Sequence, residues 1–383
     1  MAFAATGWNV EISQLAIDSD DLPWAERCRY WLTSPTLTAR PSRRRRQTHE
    51  PLILAGHGIR LRVDHDALVV SNGFSHYPQR AVEHRFFRGD RLLPSRIIVL
   101  DGSGSITFDV MSWLSEQNVP LIHINWRGEV VTALGAGHAT DPRLIARQLD
   151  AQRSGHGLRF SVSLIRAKLL NGIETLSTAL PACPVRQLAI SQLQGGVSEI
   201  TKRPPKSTGA LLGLEGRAAL AYFNAWRSLT LQWKGLGQRP IPRDWHAVGQ
   251  RYTFARNKGG TRNASHPVNA ILNYAYAILE SQVRIQVIAA GFDPTIGFLH
   301  SGRRGRSDFV LDLMEPLRPI VDRKVLEFVQ SQTFHPADFT IQLDGVCRLN
   351  PVLARAVVIL FESFKGFSLP KLPKLHGAKS RGT

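Results

Sequence analysis

Four side chains in the C-terminal half have the types and spacing of a hard metal site. Glu215 stands in Leu212-Gly-Leu-Glu-Gly-Arg-Ala-Ala-Leu220, His300 closes Thr295-Ile-Gly-Phe-Leu-His300, and Asp312-Leu-Met-Glu-Pro316 carries Asp312 and Glu315. On a helix, Glu215 lies beside the stripe of Leu211, Leu214, Ala218 and Tyr222, and a carboxylate so close to an apolar face is either paired or bound to something. Gly216, Ala218 and Ala219 let another backbone approach. With Ser307 or Asp308 as a helix cap, Asp312 and Glu315 share one face, where like charges repel unless a cation joins them. One imidazole with two or three carboxylates suits Mg²⁺, and the nitrogen makes Mn²⁺ acceptable; zinc would normally want more histidine or cysteine. In a basic protein such a site serves phosphodiester chemistry, where the ion neutralises the phosphate and activates the attacking oxygen. Each residue alone has a plainer reading: Glu215 as a salt-bridged boundary glutamate, His300 as a core histidine satisfied by a carbonyl.

Between the histidine and the acids runs Ser301-Gly-Arg-Arg-Gly-Arg-Ser307. It would put the guanidinium groups of Arg303, Arg304 and Arg306 beside the metal, where a DNA phosphate must sit. The whole chain agrees: 48 Lys and Arg against 30 Asp and Glu give +18 over 383 residues, an excess that favours a polyanionic partner. A second run, Arg43 to Arg46, reads equally well as a solvated arm.

Two blocks of different texture must position these groups. Residues 1–48 mix a short helix with a Pro-Ser-Arg stretch and read as an extension with a basic arm. Residues 49–140 carry short β-branched segments, at Gly58–Val63, Ala67–Val70, Arg96–Leu100 and Pro120–Ile124. Turn signals at Asn72-Gly73, Arg88-Gly-Asp90 and Arg127-Gly128 separate them, and one helix runs from Thr107 to Gln117. After Gly135-Ala-Gly137 the apolar period becomes helical, so residues 141–360 form a helical domain and 361–383 a basic tail. Helices are expected at Phe160–Leu176, Ala210–Trp233 and Pro267–Ala290. The last carries only Glu280 and Arg284 as charges and should be central and buried. The fold class is α+β in two domains, a small mixed β-sheet followed by a mostly α-helical domain.

Cys28, Cys183 and Cys347 are far apart and form no CxxC pair, which suits a reducing cytoplasm. Ala356–Phe361 is too short an apolar run to span a bilayer, and acids at Glu11, Asp18, Asp20 and Asp21 oppose a signal peptide. A cytoplasmic protein without membrane contact is expected.

The order and wording of four segments resemble the CRISPR-associated integrase, the catalytic subunit of the spacer-acquisition complex. They are Leu211-Leu-Gly-Leu-Glu-Gly216, Pro267-Val-Asn-Ala-Ile-Leu-Asn-Tyr-Ala-Tyr276, Gly297-Phe-Leu-His300 and Leu311-Asp-Leu-Met-Glu-Pro-Leu-Arg-Pro319. Weaker echoes lie in Arg96–Gly128, in Ile165-Arg-Ala-Lys168 with Asn171, and in Asp322–Phe339. The resemblance covers roughly 52–360. It implies that Glu215, His300 and Glu315 bind a catalytic Mg²⁺ or Mn²⁺, with Asp312 a nearby second acid. It implies a homodimer built through the β-domain, joined to a small ferredoxin-like partner and acting on double-stranded DNA in antiviral defence. The 3′-hydroxyl of a short fragment would attack a phosphodiester at a repeat array, and the same centre could cut branched DNA. Two other readings are a transposase of a mobile element with a homologous integrase, and a non-catalytic DNA-binding scaffold. Ser307-Asp308 stands where many relatives read Pro-Ser.

Overall fold

The computed structural model describes residues 22–33, 51–73, 82–134, 142–248, 264–300, 307–342 and 345–362. The chain opens with helix α1 (Leu22–Thr33) and then builds β1 (Leu52–Asp64), β2 (Ala67–Ser71), β3 (Glu83–Phe86) and β4 (Ile97–Ile106). Helix α2 (Phe108–Glu116) follows, then β5 (Leu121–Ile124) and β6 (Val130–Leu134). The six strands form one mixed sheet of order β3-β2-β1-β4-β5-β6, with β1, β4 and β5 parallel and the outer pairs antiparallel. The β4-α2-β5 segment is a crossover between parallel neighbours, as the helix read at Thr107–Gln117 requires.

Alternation along the strands splits the sheet between two cores. Leu54, Leu61, Leu68 and Ile97 pack with Val110, Trp113 and Leu114 of α2. Their neighbours Ile53, Ile98, Ile122 and Ile124 face the other way and join the core of the helical half. The sheet is therefore sandwiched, which welds the two halves into one body.

The helical half contains α3 (Pro142–Arg153), α4 (Gly155–Ala179), α5 (Pro184–Lys202) and α6 (Thr208–Ala225). A short β7 (Gln232–Trp233) precedes α7 (Pro267–Ala289), α8 (Asp308–Met314) and α9 (Arg318–Ser331). Strands β8 (Thr333–Phe334), β9 (Phe339–Ile341) and β10 (Cys347–Leu349) and helix α10 (Pro351–Glu362) complete it. Helix α7 is the central rod: it is buried along most of its length and ends at Gly291, whose φ of 82° suits glycine. Its two charges pair along the helix, Arg284 donating to Glu280 at 2.6 Å. Tyr274 and Asn273 donate to the carbonyls of Trp126 and Arg127, and a Cβ on Gly128 would lie 2.7 Å from the Asn273 carbonyl carbon. The Arg127-Gly128 turn thus needs its glycine because it rests on α7.

Two expectations change. The helix read at Ala210–Trp233 stops at Ala225, because Trp233 pairs in β7 with Phe334 of β8 and stacks on Trp245 at 6.0 Å. A tertiary aromatic cluster overrides local periodicity there. Within the segment read as an extension, α1 is locked onto the C-terminal end: Arg27 donates to both oxygens of Asp338 at 2.7 and 2.8 Å, and Trp31 adds a third bond at 2.9 Å. The Arg43–Arg46 arm, Gly135–Gly137 and the 363–383 tail lie outside the described residues. The three cysteines are free, and no described helix is long and apolar enough to cross a membrane.

Candidate metal centre

Three elements meet beside α7. Helix α4 brings Lys168, α6 brings Glu215, and the segment around α8 brings His300, Asp312 and Glu315. Ser207 caps α6 by accepting from the Ala210 N–H at 3.2 Å, so the helix starts where the Pro-rich stretch ends. That register buries Leu211, Leu214, Ala218 and Tyr222 and leaves Glu215 at the edge of the apolar face.

His300 is set by a turn. Gly297 has no room for a side chain, since a Cβ would lie 2.5 Å from the His300 carbonyl oxygen. Phe298 packs edge-on against Phe160 and Phe309, and Leu299 is buried. This anchors the backbone so that the N–H groups of Phe298, Leu299 and His300 all donate to the fully buried Asp312 carboxylate, at 2.5, 2.9 and 2.9 Å. The His300 Nδ1 lies 2.8 Å from Asp312 Oδ1. A proton on Nδ1 there leaves the Nε2 lone pair turned toward Glu315, whose Oε1 is 3.9 Å away.

Glu315 follows the last turn of α8 and is held from several sides. Lys168 donates to its Oε2 at 2.6 Å and also to Glu215, so one ammonium bridges the two carboxylates. Arg318 lies 3.3 Å from Glu315 Oε1 and stacks on Tyr276. Burial opposes ionisation of Glu315, but Lys168 and Arg318 outweigh it and hold the carboxyl at about 2. Burial likewise works against the Lys168 charge, and Glu315 and Glu215 overcome it, raising its pKa. Behind the centre, Asn171 and Thr175 of α4 donate to the carbonyls of Pro316 and Pro319 at 2.7 and 2.6 Å. Tyr222 and Tyr276 donate to Asp322, whose carboxyl burial nevertheless lifts to about 6.

Glu215, His300 and Glu315 therefore converge, with Asp312 behind the imidazole. The repulsion expected between Asp312 and Glu315 is resolved without a shared cation: backbone amides take one acid, Lys168 and Arg318 the other. Among the described residues no three His, Cys, Asp or Glu are arranged to hold a metal ion as they stand. The Lys168 ammonium, which donates to both, occupies the point between the two glutamates. By its chemistry, an imidazole with two carboxylates is a donor set that would fit Mg²⁺ or Mn²⁺. Arg303, Arg304 and Arg306 lie outside the described residues. Lys168, Arg318 and the Tyr222–Tyr276–Asp322 group were not singled out from the sequence. The usable signal was Lys168 on the stripe of Ile165, Leu169 and Gly172, a charge on an apolar face.

Comparison with known proteins bears on the whole assembly. Residues 52–363 match the family model described as CRISPR associated protein Cas1. A CRISPR-associated exonuclease Cas4/endonuclease Cas1 fusion from Rhodospirillum rubrum is 30% identical over 271 residues, covering 69% of this chain and 43% of the fusion. The chain thus spans less than half of that relative. A CRISPR-associated endonuclease Cas1 from Archaeoglobus fulgidus is 28% identical, covering 66% of this chain and 73% of its own. Among solved structures, a casposase bound to integration product superposes with a TM-score of 0.66 at 25% identity, covering 82% and 81% of the two chains.

Proposed function

The chain belongs to the CRISPR-associated Cas1 family, and from that premise we propose that it is a metal-dependent DNA integrase and endonuclease. The proposed reaction inserts short DNA fragments into a CRISPR repeat array by attack of a 3′-hydroxyl on a phosphodiester. The observation that carries this reading is the bridging of Glu215 and Glu315 by one cation beside the Nε2 of His300.

Glu215, His300 and Glu315 would hold Mg²⁺ or Mn²⁺, which when bound neutralises phosphate charge and activates the attacking oxygen. The chain's own groups do the rest. Asp312 fixes the imidazole ring so that Nε2, not Nδ1, faces the centre. Arg318 keeps Glu315 anionic and adds positive charge beside the reacting phosphate. No protein nucleophile is needed, because the attacking oxygen belongs to the DNA. Arg303, Arg304 and Arg306 are proposed to contact phosphates. Homodimerisation through the β-domain is supported by β3 and β6 standing at the sheet edges, each paired on one side only among the described residues. A small ferredoxin-like partner is proposed on the family resemblance.

The casposase superposition favours one second reading, a transposase that joins the ends of a mobile element. An integration assay with labelled fragment and plasmids bearing either a repeat array or inverted repeats separates the two. Wild type is expected to join fragment to the repeat plasmid only with Mg²⁺ or Mn²⁺. Glu215→Gln, His300→Ala and Glu315→Gln should each lose joining while retaining DNA binding. Joining in the presence of chelator, or by His300→Ala at the wild-type rate, defeats the metal reading.

A further inference from the structure

Lys168 is a cation already seated where a metal would go. Its ammonium donates to Glu315 at 2.6 Å and to Glu215, and its side chain is only 18% exposed. A divalent ion cannot take both carboxylates while that ammonium lies between them: the two positive charges would share ligands at contact distance. We propose that Lys168 is a resident counter-cation which the metal displaces, and that the displaced ammonium is taken by a phosphate of the DNA. The proposal rests on the metal-centre reading above.

The destination follows from what surrounds it. A buried ammonium stripped of its partners is costly, so Lys168 must find another anion or reach water. Of the other neighbours of Glu315, Arg318 is a cation, and the Nε2 lone pair of His300 would itself be taken by the metal. Asp322 lines the same small cavity of about 40 Å³, but its two oxygens already accept from Tyr222 and Tyr276. The anion that arrives with the reaction is the phosphate.

Two affinities are thereby linked through one side chain. Without DNA, metal binding must strip Lys168 of both carboxylates, which weakens it. With DNA, the phosphate compensates the ammonium, so metal binds more tightly, and by reciprocity metal tightens DNA. The lysine would then suppress metal loading until substrate is present, while holding the half-buried Glu215 and the buried Glu315 together in the apo protein.

The test is Mn²⁺ binding followed by electron paramagnetic resonance, with and without a DNA duplex, in the full chain. Glu315→Gln is titrated with the same duplex to subtract Mn²⁺ held by DNA alone. Lys168→Gln is expected to bind Mn²⁺ roughly tenfold more tightly than wild type without DNA, and DNA should tighten it less than it tightens wild type. Lys168→Gln leaves two carboxylates facing each other, so its apo melting temperature should fall and its Mn²⁺-induced rise should grow. If it does not fold, Lys168→Arg keeps the charge and should bind Mn²⁺ no more tightly than wild type. Tighter binding by Lys168→Arg, or equal affinity in Lys168→Gln and wild type, overturns the displacement. An unchanged effect of DNA in Lys168→Gln overturns the hand-over to phosphate. If wild type and Lys168→Gln bind no more Mn²⁺ than Glu315→Gln, the metal centre itself is wrong.

Discussion

His300 and Asp312 are joined twice: Asp312 Oδ1 accepts the backbone N–H of His300 at 2.9 Å and lies 2.8 Å from its Nδ1. Both the position of the residue and the orientation of its ring are therefore set by one buried carboxylate. That carboxylate also collects the N–H groups of Phe298 and Leu299, so the whole turn closes around it. Each oxygen of this acid already meets two groups of the turn, so its part in the proposed reaction would be to orient the histidine.

Asp312→Asn tests this division of labour. The amide cannot accept from all four donors and turns an NH₂ toward some of them, which should lower stability by about 1–3 kcal/mol. With the ring loosened, Mn²⁺ affinity is expected to fall by roughly 10–100-fold, the usual effect of removing a group that orients a ligand. Excess Mn²⁺ should then restore much of the joining rate in Asp312→Asn but not in Glu315→Gln. Equal and irreversible loss in both would make Asp312 a ligand.

Arg27 and Asp338 form a pair with side-chain exposures of 3% and 0%. Arg27→Ala leaves Asp338 with Trp31 and the backbone N–H of His335 but no counter-charge, and should cost about 3–5 kcal/mol in urea denaturation. The double change Arg27→Met with Asp338→Leu should recover a large part, because no unpaired charge remains. Loss near zero for Arg27→Ala would mean that α1 is not held by this pair.

Much of the centre could be read along the chain because its acids and histidine sit in short, distinctive segments. Glu215 betrayed itself by interrupting an apolar stripe, and His300 by following two anchors, Phe298 and Leu299. Lys168 carries only the weaker signal of a charge on the stripe of Ile165, Leu169 and Gly172. Lysines on long helices are ordinarily solvated, and only the packing of α4 against α6 and the end of α8 brings this one between Glu215 and Glu315. The argument from like charges at Asp312 and Glu315 asked for a cation joining the two, whereas the structure compensates each acid separately. Three backbone amides do so for Asp312, and amides carry no sequence signature. In the fold, strand alternation and the α7 pattern sufficed for the sheet and the central helix. The end of α6 was hidden because β7 exists only through β8, a partner about a hundred residues away in sequence. The anchoring of the short helix α1 was hidden for the same reason, its partner Asp338 being 311 residues from Arg27.

His266 gives the fold a pH dependence of known sign. It begins α7, accepting the Val268 N–H at Nδ1 (3.2 Å), and burial lowers its pKa from 6.5 to about 4. A depressed folded value means that the unfolded chain takes up the proton first. The stabilising contribution is therefore complete above pH 6.5 and is lost as pH falls toward 4, by roughly 3 kcal/mol over the window. His266→Asn keeps a capping acceptor and cannot titrate. The difference in unfolding free energy between wild type and His266→Asn should shrink or reverse from pH 7 to pH 4; a constant difference refutes the assignment.

The arginines after His300 separate an active-site role from a merely basic surface. Each arginine that contacts phosphate displaces condensed cations from the duplex, so affinity should fall with salt at a log-log slope of about −0.9 per contact. Replacing Arg303, Arg304 and Arg306 by alanine should flatten the slope by up to about three contacts. Their place in the sequence, between the imidazole of His300 and the α8 helix that carries Asp312, predicts more than weaker binding. Groups beside the reacting phosphate stabilise charge that develops during the reaction, so the triple variant should join DNA slowly even when saturated. The same substitutions at Arg43, Arg44 and Arg45 should weaken binding at most and leave the saturating rate alone. Quench-flow joining rates at saturating DNA and salt-dependent binding isotherms measure the two effects independently. If the two triple variants behave alike at saturation, the arginines after His300 only attract DNA and take no part in the chemistry.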